Sequence, residues 1–119
     1  LMASIDKLAK ELKAEFGLKE LSGFESLDQN GDYIIFDGLE SEDDITDNAL
    51  FSVLVARNTL TGEGMGVLSK IDELRRDLFR YGAKRGLKIL HGAKAAFVTG
   101  SLYCVRLQIK IKIEGFIEA

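Results

Sequence analysis

Apolar residues recur along this chain at two different spacings, and the spacings divide it into elements. Ile5, Leu8, Leu12 and Phe16 lie three or four apart, with Lys7, Lys10, Glu11, Lys13 and Glu15 between them, which predicts an amphipathic helix over residues 4–16. Ser4 is placed to cap its start, and Gly17 followed by Leu18 suits a left-handed stop with an apolar contact. A second helix, over residues 65–81, has Val67, Leu68, Ile71, Leu74, Leu78 and Phe79 as its apolar stripe and Lys70, Asp72, Glu73, Arg76, Asp77 and Arg80 around the rest. Gly82 ends it.

The remaining segments have period two or are continuously apolar. Residues 33–36 (YIIF) predict a short strand closed by Asp37-Gly38, after a connection over residues 18–31. Residues 50–56 (LFSVLVA) form a nearly unbroken apolar run of the kind buried on both faces, which predicts a central strand. Residues 87–90 (LKIL) predict another strand, Gly92 a break or bulge, and residues 93–98 a further strand joined through the tight connection 99–101 to the last segment. That last segment, residues 102–113 (LYCVRLQIKIKI), alternates almost strictly. Tyr103, Val105, Leu107, Ile109, Ile111 and Ile113 form its oily side, and Cys104, Arg106, Gln108, Lys110 and Lys112 the other. At about 3.3 Å per residue it spans roughly 40 Å, about twice the usual strand.

Helix, strand, strand, helix, then three strands predicts an α+β fold, a mainly antiparallel sheet with two helices packed on one face. The oily side of the long strand then meets the helices. Its opposite side, with Arg106, Gln108, Lys110 and Lys112, faces solvent or a partner. With 119 residues, 46% of them hydrophobic, the chain suits one domain over residues 4–119, with residues 1–3 a cloning remnant or disordered end.

Charge changes this picture more than composition does. The net charge of −3 conceals 17 acids against 8 bases in residues 1–79, and 8 bases with no acid in residues 80–112. If the fold keeps these blocks apart, copies can meet head to tail with opposite potentials facing; if it mixes them, the surface evens out. Residues 40–49 contain Glu40, Glu42, Asp43, Asp44 and Asp47 without a base. They predict a solvated acidic loop, or an acidic contact surface for the basic segment of a next copy. Five carboxylates could hold a hard cation, but no scaffold sets their geometry.

Other candidate chemistry fails on spacing. Asp28, Asn30 and Asp32 match the start of a calcium loop, yet Tyr33 stands where its glycine belongs and Leu39 where its glutamate belongs. Gly62, Gly64 and Gly66 precede a helix but form neither usual phosphate-binding pattern. His91, the only histidine, has no partner for ligation or catalysis nearby in sequence, and Cys104, the only cysteine, suits packing and a reducing compartment. No run is long and apolar enough for a membrane span or a secretory leader. The residues predict no catalytic site, no metal site and no cofactor.

Taken together, the amphipathic first helix, the buried strand running into Val55-Ala56-Arg57-Asn58, the glycine-containing loop, the helix VLSKIDELRRDL, the strand Leu87-Lys88-Ile89-Leu90, the glycine-turn hairpin and the long alternating strand resemble the tail terminator (tail completion) proteins of long-tailed phages. The likeness is to those of Mu-like prophage tail modules and covers residues 4–115. It implies a non-enzymatic structural protein of virion assembly, made in the bacterial cytoplasm and placed in the virion tail. Such a subunit forms a homo-oligomeric ring, commonly a hexamer, that caps the tail tube protein's polymer, ends its growth and presents a surface to a head-completion or connector protein. Two alternatives remain open: a head–tail connector or other tail-module subunit, and a small nucleic-acid-binding domain using the basic strand face. The second lacks stacking aromatics beside its basic row.

Overall fold

The alternating C-terminal segment forms one strand of 13 residues, Leu102–Glu114, in the computed structural model, which describes residues 2–23, 27–41, 46–62, 66–83, 87–89, 94–99 and 102–114. In chain order the elements are α1 (Met2–Phe16), β1 (Lys19–Glu20), β2 (Gly31–Ser41), β3 (Thr46–Arg57), α2 (Val67–Gly82), β4 (Leu87–Ile89), β5 (Lys94–Thr99) and β6 (Leu102–Glu114). All six strands join one sheet in the order β1-β2-β3-β6-β4, with β5 also paired to β6. Every pairing is antiparallel except β1 with β2. The fold is therefore α+β, a mainly antiparallel sheet with both helices on one face, as the periodicities predict.

The core lies between that face and the helices. From β6 it takes Val105, Leu107, Ile109 and Ile111, from β3 Ala49, Phe51, Val53 and Val55, and from α2 Val67, Ile71, Leu74 and Leu78. α1 adds Leu12, with Leu8, Ala9 and Phe16 partly buried. The two helices meet where the Phe16 and Tyr81 rings pack edge to face, 5.3 Å between centroids. β3 lies between β2 and β6, so the apolar run is central because strands cover both of its edges and side chains cover both of its faces.

Several expectations need correction. α1 already includes Met2, so Ser4 lies inside the first turn instead of capping it. The stop is as expected: Gly17 has φ +64°, and the Leu18 N–H donates to the Lys13 carbonyl at 3.0 Å, the six-to-one bond of a Schellman motif. The connection after α1 contains β1, which makes the sheet mixed. α2 runs over Val67–Gly82, one or two residues later than predicted. Phe79 is 74% exposed and Leu68 45% exposed, because at 100° per residue both fall to the side of the stripe formed by Val67, Ile71, Leu74 and Leu78. On β6, Tyr103 is exposed and Ile113 only half-buried, since the strand outruns the helices.

The largest correction concerns residues 31–49. β2 does not stop at Asp37-Gly38 but continues to Ser41, and β3 begins at Thr46. Residues 40–41 and 46–49 are thus strand instead of loop; Glu42, Asp43 and Asp44 lie outside the described residues, as do His91 and Gly92. Asp37-Gly38 marks a β-bulge: Phe36 pairs with Phe51 and Gly38 with Leu50, so Asp37 is an extra residue with no partner opposite. Gly38 takes φ +135° there, a conformation almost confined to glycine.

Candidate interaction surface

The sheet face away from the helices is not uniformly polar. At one end Tyr33, Ile35, Leu54, Ala56 and Cys104 form a second small core with Leu27, from the connection between β1 and β2. Burial pushes the Cys104 thiol up to about 11, because a thiolate is costly away from water. Burial also raises Tyr33, and Asp28 and Asp32 add to the rise while Arg57 opposes it. The Tyr33 hydroxyl donates to the Gln29 carbonyl at 2.8 Å, pinning that connection over the cluster.

Beyond this cluster the face becomes polar, and register decides which groups meet. Arg106 lies opposite Leu54, Gln108 opposite Ser52, Lys110 opposite Leu50 and Lys112 opposite Asn48. Ser52 is fully buried. Its hydroxyl donates to Asp37 Oδ2 at 2.5 Å and accepts from Arg106 Nε at 2.8 Å. Gln108 Nε2 donates to the same Asp37 oxygen at 3.2 Å, and Arg106 Nη2 lies 3.7 Å from it. One row further along, Lys110 Nζ donates to Glu40 Oε1 at 3.2 Å.

The bulge sets this arrangement. In a regular strand Glu40 would share the helix side with Ile34 and Phe36, since positions two apart point the same way. The extra residue at Asp37 shifts the phase, so Glu40 lies opposite Asn48 and faces the same way as Lys110 and Lys112. Leu39 and Ser41 move to the helix side. Asp47, opposite Ser41, is buried there and accepts the Ser41 hydroxyl at 3.0 Å. Glu40 and Asp47, the described acids of this stretch, thereby lie on opposite faces.

Four of the predicted residues, Glu40, Arg106, Gln108 and Lys110, take part in two neighbouring sets of contacts on this face. Lys112 follows them on the same face, and Asp47 does not join them. Asp37 and Ser52 are members that periodicity does not single out; the signal at Asp37 is an aspartate–glycine pair after an apolar run. Asn48, 2% exposed, lies between Glu40 and Lys112 in register, and its Nδ2 has no hydrogen-bond partner among the described residues. The acidic and basic blocks of the chain thus mix across this face, and Arg106 and Lys110 are paired with carboxylates of their own chain.

A second charged group sits on the helix side. The Arg57 guanidinium lies 2.8 Å from Asp32 Oδ1, out of line for a hydrogen bond, so the contact is an ion pair; Lys70 Nζ is 3.7 Å from the other oxygen. Arg57 also donates to the Gly31 and Ala56 carbonyls at 3.0 and 2.8 Å. These contacts tie β2, β3 and α2 together. At the start of α2 the Val67 and Leu68 N–H groups donate to the Thr59 and Leu60 carbonyls at 3.0 and 3.2 Å. A phosphate there would have to displace bonds already made.

Among the described residues no group of three or more histidine, cysteine, aspartate or glutamate side chains could hold a metal ion, and no helix is long and apolar enough to cross a membrane. A scan against protein-family models gives no match, and a search of curated proteins finds no significant similarity.

Proposed function

We propose that this chain is a non-enzymatic structural subunit that docks to other proteins through its sheet, and specifically a tail-terminator-like protein. In this role it assembles with copies of itself into a ring, a hexamer in the form the resemblance implies. The ring caps a phage tail tube and offers its outer surface to a head-completion or connector protein. The observation that carries a protein partner over a nucleic-acid one is the pairing on the polar face. Arg106 and Lys110 are engaged with Asp37 and Glu40, and a phosphate backbone would have to displace a carboxylate from each of these cations it gained. Cations that already hold carboxylate partners of their own chain suit a protein surface, where buried polar groups need partners. The phage assignment rests on the resemblance of the element order and the quoted segments.

The test uses the full chain and tubes assembled from the tail tube protein of the same phage genome. Light scattering and electron microscopy should give ring-shaped particles, and added chain should stop tube growth with a ring on one end. A chain that neither forms rings nor alters tube length overturns the proposal.

A further inference from the structure

Among the exposed apolar side chains of the described residues, those on α2 around Phe79 and those on β2 at Phe36 and Leu39 differ in the charge beside them. On α2, Phe79 is 74% exposed and stands with Arg75, Arg76, Arg80 and Ile89 around an open cleft of about 240 Å3. Among the described residues the three guanidiniums lie 3.5 to 3.9 Å from two carboxylates, Asp72 and Asp77, so these side chains keep a positive excess. Exposed pairs this long exchange partners at little cost.

The second patch is on β2. β1 covers only Tyr33 and Ile34 of this strand, so from Ile35 to Ser41 the described residues place β2 at an open edge of the sheet. Phe36 and Leu39, 52% and 49% exposed, project from its helix side. The bulge sends Asp37 and Glu40 to the other side of the same edge, and β2 contains no base. A surface approaching the edge meets two apolar side chains beside the Glu40 carboxylate, which is 55% exposed, while Asp37, 19% exposed, is turned in to Ser52 and Arg106.

We propose that the Arg75–Phe79–Arg80 cleft of one copy receives the Phe36–Leu39–Glu40 edge of a second copy. This names the subunit contact within the self-assembly proposed above and rests on it. Like ends do not match, because two clefts bring arginines together and two edges bring carboxylates together. The contact is therefore heterologous, and it closes into a ring or runs on as a chain according to its rotation. Phe36 or Leu39 fits the cleft beside the Phe79 ring, and Glu40 reaches the guanidiniums, for which Lys110 is its present competitor.

Sedimentation velocity on full-length variants tests the contact. Phe79→Glu disables the cleft and Leu39→Lys disables the edge; circular dichroism checks that each folds, and Phe36→Lys replaces L39K if that variant does not. The wild-type chain should sediment as an oligomer and each variant as a monomer. An equimolar mixture should form a heterodimer that grows no further, since the L39K cleft accepts the intact edge of F79E. Variants that keep the wild-type size overturn this contact while leaving rings and tube capping, which are read separately, untouched. A mixture of folded variants that stays monomeric overturns it too, as does a wild-type chain that is monomeric at every concentration or that binds through this cleft only to a different protein.

Discussion

Ile109 and Cys104 are both buried on β6, yet alternation sends them to opposite sides of the sheet, and each fails in its own way. Ile109 has no exposed surface and lies among Phe51, Leu107 and Ile111 in the main core. Ile109→Asp removes an apolar contribution of about 2 kcal/mol and buries an unpaired carboxylate, together enough to unfold a domain of this size. Circular dichroism should show the loss; a soluble, folded variant would contradict the placement. Cys104 makes a prediction in pH. Its thiol is raised from 9.0 to about 11 in the folded chain, so below the ordinary value both folded and unfolded thiols keep their proton. As pH rises through this window the unfolded chain ionises first, and stability should fall by about 3 kcal/mol in all. Denaturant unfolding at stepped pH measures the slope, which Cys104→Ala should flatten before Tyr33, raised from 10.0, adds its own fall. Both residues are legible in sequence, because alternation assigns each to a side. Ser52 and Asp37 are not legible as partners of Arg106, because that depends on which rows of three strands coincide.

At the scale of elements, the helices and the long strand are read from periodicity alone, and the β2–β3 hairpin is not. An aspartate–glycine pair after an apolar run is an ordinary turn signal. Here β3 offers a continuous partner, and the chain keeps pairing by absorbing one extra residue. Gly38 makes this possible through its φ of +135°, with no atom within 4 Å of where a Cβ would stand. Gly38→Ala therefore meets no steric clash, only the backbone penalty, and should cost roughly 1 to 3 kcal/mol in denaturant unfolding. Loss of hydrogen-exchange protection should concentrate in β2 beyond the bulge. Uniform loss across the sheet would argue against a local strain.

At the scale of the molecule, charge is the quantity whose meaning changes most. Two blocks of opposite sign along the chain suggest opposite ends of a particle, but the sheet lays β6 two strands away from β2 and pairs Lys110 with Glu40 and Arg106 with Asp37. Among the described residues the arginine cluster of α2 keeps a positive excess, and the proposed contact sets it against the β2 edge, where Glu40 exchanges Lys110 for a guanidinium of the neighbour. Self-association through them should weaken as salt rises from about 0.05 M to about 1 M, since the Debye length falls from more than 10 Å to about 3 Å. Sedimentation across that range reads it; a single unchanged species would remove charge from the account of assembly.

Hydrophobic spacing by itself determined the fold class, both helices, the centrality of β3 and the two-sided character of β6, because these follow from local periods that any packing must respect. Tertiary structure alone decided the length of the β2–β3 hairpin, the phase of its bulge, the second small core and the pairing of the polar row. The reason is that each depends on the register between strands distant in sequence. One extra residue at Asp37 is enough to change which side Glu40 faces, and no property of the residue itself announces it.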